Sequence, residues 1–223
     1  MFKTIYDYTD FAQDETREDG SRVYVNASGV GYPSATTVLS VLNKDGIKKW
    51  RERVGEEEAN RISKQASTRG TKIHTLTEAY LKNEEVDFDA VKASLLDREM
   101  FNKFKSILDP IDNIHCQELA LYSDYLRMAG RVDCIAEYNG VRAVIDFKTS
   151  NRLKKKEHIS SYFMQATAYA IMYEERTGIP VPFLIILIAV DGDEPQVFVE
   201  KRDNWAKELI RTRDYFENGY YLE

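Results

Sequence analysis

A chain of 223 residues, 43% hydrophobic and 30% charged, can bury a sizeable core and has the composition of an ordinary globular protein. Its 31 Lys and Arg against 37 Asp and Glu leave a net charge of −6, which argues against a passive phosphate-binding protein. No apolar run approaches the roughly 20 residues of a membrane span. The first residues lack the character of a signal or transit peptide, and two cysteines, Cys116 and Cys134, are too few for a four-thiolate metal site. A cytoplasmic setting with reduced thiols is the expectation.

In chain order, Arg22–Val25 has strand character, and Ser34 is placed to cap a short helix over residues 35–42. Helical periodicity dominates from about Ile47 to Leu108. Within it, Lys48 to Ala66 is heavily charged, Gly70 reads as an interruption, and Thr71 to Lys82 resumes with Ile73, Leu76 and Tyr80 at core spacing. A further helix is expected over about 89–108. From Ile114 the period changes to two: a strand at 118–122, a turn at Ser123-Asp124, then a hairpin. Ser160 to Arg176 reads as a helix stopped by Gly178 and Pro180, and 182–190 as a central strand buried on both faces. A turn at 191–194, a strand at 196–200 and a helix over 205–216 complete a mixed α/β fold in one domain, residues 1–223. Its parts are a helical region at about 34–110, a sheet core at about 114–201 and a C-terminal helix at 203–218.

The hairpin carries the chemistry. Gly130 to Tyr138 and Val141 to Lys148 flank Asn139-Gly140, the strongest signal for a two-residue type I′ turn. That turn sets the register, so Asp133 faces Asp146 and Arg131 faces Lys148. Alternation puts Asp146 and Lys148 on one face and Val132, Cys134, Ala136, Ala143, Ile145 and Phe147 on the other. Two carboxylates across a ladder lie roughly 5 Å apart and repel, an arrangement most easily tolerated with a cation between them. Asp133, Asp146 and Lys148 therefore form a compact unit for metal-assisted hydrolysis, with hard oxygen ligands suited to Mg²⁺ or Mn²⁺. The plainer alternative is a solvent-facing hairpin with an Asp–Lys ion pair. Against it, Ala143-Val144-Ile145 reads as an inner strand, where unpaired carboxylates are costly.

The ordered set Pro33–Leu39, Arg69-Gly70-Thr71-Lys72-Ile73-His74, Gly130-Arg131-Val132-Asp133, Ile145–Ser150 and Gln165-x-x-x-Tyr169 resembles the PD-(D/E)XK nuclease superfamily in its RecB-like exonuclease branch. Its first segment is similar to that of the mitochondrial genome maintenance exonucleases and their phage and bacterial relatives. The resemblance implies a restriction-endonuclease-like core with a mixed central sheet, preceded by a helical elaboration forming an arch or clamp. It also implies a Mg²⁺- or Mn²⁺-dependent deoxyribonuclease acting on DNA, single-stranded ends above all, beside replication or recombination proteins. Residue by residue, it makes Asp133 and Asp146 metal ligands, Lys148 the catalytic lysine, and His74 and the Phe147 carbonyl further ligands. Glu78, one helical turn on from His74, is placed to orient its ring. Thr149, Ser150 and Arg152 would meet phosphates, and Gln165 and Tyr169 the DNA backbone or the lysine.

Several positions keep two readings. Glu118 is an additional ligand or a plain strand-start carboxylate, Tyr169 a contact or a core residue, and Arg69 only an auxiliary. Trp50 and Tyr162 are base-stacking platforms or core. At the level of function, a structure-specific or flap endonuclease and a non-catalytic DNA-binding subunit remain the alternatives.

Overall fold

The computed structural model describes residues 1–16 and 22–219. Three short strands, β1 (Ala12–Thr16), β2 (Arg22–Asn26) and β3 (Gly31–Pro33), form a small antiparallel sheet. Four helices follow: α1 (Ala35–Leu39), α2 (Lys44–Val54), α3 (Glu56–Leu81) and α4 (Leu95–Leu108). The rest is β4 (Ile111–Ser123), β5 (Met128–Tyr138), β6 (Val141–Ser150), α5 (Ser160–Thr177), β7 (Phe183–Val190), β8 (Gln196–Lys201) and α6 (Asp203–Asn218).

Strands β4 to β8 make one five-stranded sheet in sequence order, antiparallel except for the β6–β7 pair. Parallel neighbours need a crossover, and α5 supplies it. Its face carries Phe163, Tyr169 and Tyr173 into a core shared with Val38 of α1, Leu209 of α6, and Ile135 and Val144 of the sheet. The opposite face takes Ile73 and Leu76 of α3 and Phe101 and Phe104 of α4 against Cys134, Ile145 and Phe147. A sheet covered on both sides explains the unbroken apolar run of β7, buried at every residue but Phe183. This mixed sheet between helical layers is the α/β core expected, with helices before it. Among the described residues, no helix is long and apolar enough to cross a membrane.

Local sequence accounts for most element ends. Ser34 caps α1 by accepting from the Thr37 amide at 3.1 Å, although the α-helical part stops at Leu39 and residues 40–42 tighten into a 3₁₀ turn. Ser94 and Asp97 form a reciprocal capping box that starts α4 at Leu95, six residues later than periodicity places it. Gly70 does not break α3. A helical glycine costs about 1 kcal/mol against alanine, but here a Cβ would sit 3.9 Å from Thr149 Oγ1, so the residue marks where α3 passes the end of β6. The break falls at Gly55, whose φ of +86° separates α2 from α3. In the hairpin, Asn139 and Gly140 have φ of +51° and +77°, as a type I′ turn requires.

Candidate active site

The hairpin register is the one its turn demands, down to Cys134 opposite Ile145, and there the pairing of β5 with β6 ends. β6 continues along β7 to Ser150, while β5 continues along β4 to Met128. The two strands therefore part at Asp133 and Asp146. Arg131 consequently does not face Lys148: it pairs across β4 with Ala120 and binds Asp10. The alternation of sides is also reset. Val132 packs into the α5-side core while Cys134 and Ala136 pack against α3 and α4, so Val132 does not share their face. The cause lies opposite, in β4, where Gln117 pairs with Cys134 and Leu119 with Val132 but Glu118 between them adopts φ +50°. Register thus sets Glu118, Asp133 and Asp146 in a row across three neighbouring strands.

Both backbone polar groups of Phe147 point into this fork. Its amide donates to Asp133 Oδ2 at 2.8 Å, and its carbonyl accepts from His74 Nε2 at 2.8 Å. A carbonyl can only accept, so Nε2 carries a proton, and Nδ1 lies 3.6 Å from Asp133 Oδ1. The ring is oriented by Phe147 and not by Glu78, which accepts from Lys82 instead. His74, Glu118 and Asp133 each offer one ligand atom within 4.8 Å of the others. Asp146 stands beside them, 2% exposed. Lys148 Nζ donates to its Oδ1 at 2.6 Å and lies 2.5 Å from Oδ2, yet among the described residues Oδ2 has no well-directed donor.

The electrostatics match a site missing positive charge. Burial pushes the Asp146 carboxyl up, Lys148 opposes that, and Asp133 adds to it. Lys148 is held above the ordinary amine value because Asp146 and Asp133 outweigh its burial. Glu118 is pushed up to about 7, first by burial and then by the Asp133 charge. An oxygen-rich pocket with one imidazole nitrogen, a buried carboxylate oxygen with no well-directed donor among the described residues, and mutually repelling acids fits a hard divalent cation.

A pH test follows for the metal-free protein. Between the ordinary value of 4.5 and about 7, folded Glu118 keeps a proton that the unfolded chain has lost. Stability therefore falls as pH rises through that window. Glu118→Gln removes the effect and is expected to stabilise the chelated protein by about 2 kcal/mol at pH 8, and hardly at all at pH 4.5. Urea unfolding at the two pH values checks it; equal gains at both would refute the assignment.

The remaining expected residues separate into those at the fork and those away from it. Thr149 lies half-buried beside Gly70 on α3. Tyr162, in the first turn of α5, places its ring 5.3 Å from Lys148 Nζ. Gln165 is half-buried and donates to the Tyr169 hydroxyl at 3.3 Å. Tyr169 itself is 3% exposed, a core residue of α5 out of reach of a DNA strand. Ser150 is buried too, and its hydroxyl is engaged with the Arg152 backbone, so Arg152 alone of that pair presents an exposed side chain. Arg69 forms an ion pair with Asp191 at the end of β7, 3.3 Å apart. Trp50 lies half-buried on α2. The Asp10–Arg131 pair had no signal in the sequence, because it joins positions far apart in the chain.

A family model described as the PD-(D/E)XK nuclease superfamily matches residues 41–218. The chain is 27% identical over 203 residues to mitochondrial genome maintenance exonuclease 1 of Homo sapiens, which covers 83% of this chain and 58% of that protein. It is 26% identical over 191 residues to the protein of the same name from Mus musculus, covering 77% and 54%. A 119-residue stretch is 32% identical to the Xenopus tropicalis protein, covering 49% and 34%. The chain thus spans little more than half the length of the first two relatives. With the match running through α3, the fork and α6, the chain belongs to the PD-(D/E)XK nuclease superfamily.

Proposed function

We propose that this chain is a metal-dependent DNA exonuclease that acts by preference on single-stranded ends, with Mg²⁺ or Mn²⁺ as its cofactor. The observation that carries the reading is the parting of β5 and β6. It brings Asp133 together with His74 and Glu118, and sets the Asp146–Lys148 ion pair beside them. The relatives named as exonucleases support the preference for DNA ends.

In this reading the cation is held by His74 Nδ1, Asp133 and Asp146, with Glu118 completing the set. The Phe147 carbonyl, expected as a ligand, is taken instead by the His74 Nε2 proton on the other side of the ring. When bound, it supplies Lewis-acid polarisation of the phosphoryl oxygen and an acidified water. The residues of the chain do the rest. Phe147 locks the His74 tautomer, so the ring offers a lone pair and not a proton. Asp146 holds Lys148 charged, and the ammonium offsets negative charge on the phosphorane-like transition state or positions the water. Thr149, Arg152 and Gln165 line the approach and bind phosphate oxygens, and Tyr162 stacks on a base. No residue forms a covalent intermediate, so hydrolysis is direct. Residues 34–110 serve as the clamp that guides the strand.

The test uses linear and circular single-stranded DNA carrying separate 5′ and 3′ labels, with Mg²⁺, Mn²⁺ or chelator. The expected result is digestion of the linear strand only, dependent on the cation. Digestion of the circle would remove the requirement for ends, and cleavage in chelator would remove the metal.

A further inference from the structure

Glu118 holds a backbone conformation that a residue with a Cβ rarely adopts, and it does so in the middle of a strand. Such a conformation persists only where neighbours over-determine it, and the neighbours here are specific. Arg131, directly across β4 from Ala120, donates to the Glu118 carbonyl oxygen. The same guanidinium pairs with the Asp10 carboxylate, Nη2 to Oδ2 at 3.0 Å and Nη1 to Oδ1 at 3.3 Å. Asp10 Oδ1 also accepts from the Ala120 amide at 2.8 Å, and the Phe11 amide donates to the Ala120 carbonyl at 2.9 Å. One carboxylate thereby holds the two peptides that follow the Glu118 Cα: the 118–119 peptide through its carbonyl and Arg131, and the 119–120 peptide directly. Burial acts to raise the Asp10 carboxyl, but the Ala120 amide and Arg131 outweigh it and hold the group below its usual range.

We infer that Asp10, with Arg131, is a positioning pair that aims the Glu118 carboxylate at the cation site formed with His74 and Asp133. This deepens the proposed function and rests on it. Asp10 lies outside residues 41–218, the segment that matches the superfamily model. The two side chains are 33% and 41% exposed. An ion pair so open adds little to folding, whereas a shift in the peptide it holds moves a ligand. The two effects are therefore separable by experiment.

The test measures Mn²⁺ binding by electron paramagnetic resonance in the intact protein, beside thermal melts and cleavage kinetics. Asp10→Ala is expected to weaken Mn²⁺ binding about tenfold, the size seen when groups that orient metal ligands are removed. The Mn²⁺ concentration for half-maximal cleavage should rise by the same factor, with the KM for DNA unchanged and Tm nearly so. Asp10→Glu should restore part of the loss. In a Glu118→Gln background, Asp10→Ala should add no further loss, because its effect passes through Glu118. Additive losses, or undiminished Mn²⁺ binding by Asp10→Ala, overturn the clamp while leaving the nuclease reading intact. A wild-type protein that binds no Mn²⁺ overturns both.

Discussion

Asp146→Asn is expected to lower DNA hydrolysis by at least about 10³-fold while leaving the fold intact. The substitution keeps the shape and keeps Oδ1 as an acceptor for Lys148, but it removes the charge of a carboxylate whose second oxygen is met, among the described residues, only by the Lys148 ion pair. That oxygen is the one a cation would claim, so the loss should appear as failed catalysis and as weakened Mn²⁺ binding together. Stability should hold or rise, since burial and the Asp133 charge both act against an ionised Asp146. Labelled single-strand digestion beside a melting curve checks both halves. Activity within tenfold of the wild type would end the catalytic assignment of this residue. A collapsed fold would instead mean that the carboxylate is needed to neutralise Lys148, which the melt would report directly.

The largest effect on stability is expected from Gly130→Ala, about 2–4 kcal/mol. Gly130 has φ +157°, and a Cβ built there would meet Tyr169 Cε1 and Oη at 3.0 Å and Cζ at 3.4 Å. Tyr169 cannot swing away because it is buried in the core between α5 and the sheet. The strain would fall three residues before Asp133, on the strand that carries it to the fork. Combining the change with Tyr169→Phe removes the hydroxyl contact and should recover about 1 kcal/mol, the ring-edge contact remaining. Urea denaturation of the single and double variants decides the matter. A loss below about 0.5 kcal/mol, within the range of ordinary surface changes, would show that the strand relaxes around the methyl.

The glycine of the Gly130–Asp133 motif is thus explained by packing and the aspartate by chemistry, and the two were not equally legible in the sequence. Asn139-Gly140 fixes the hairpin register locally, so the pairing down to Cys134 and Ile145 could be read from the chain before any tertiary structure was known, although the strands part before Asp133 and Asp146 pair. The apolar run of β7 and the periodic stripes of α3, α4 and α5 were legible for the same reason: they repeat within a short window. Where β5 leaves β6 was not legible. A register continues on paper indefinitely, and what ends it is a positive φ at Glu118 on a third strand, for which glutamate gives no local signal. The Asp10–Arg131 grip is invisible for the same reason. Tyr169 shows the limit from the other side: its helical spacing from Gln165 was read correctly, but spacing alone cannot tell a face turned to ligand from one turned to core.

Asp133 has a further consequence through the hydrogen bond it accepts from the Phe147 amide. Where β5 and β6 part, that side chain stands in for the rung the backbone no longer supplies. The residue therefore answers to two requirements at once, closing the end of a sheet and binding a cation. A copy of this fold that had lost catalysis would still need an acceptor at this place, and an aspartate there would testify only to the architecture. Asp146 completes no rung, and beside the repelling Asp133 its buried charge is balanced by Lys148 alone among the described residues. In sorting working nucleases from retired ones on this scaffold, the second acid is the informative one.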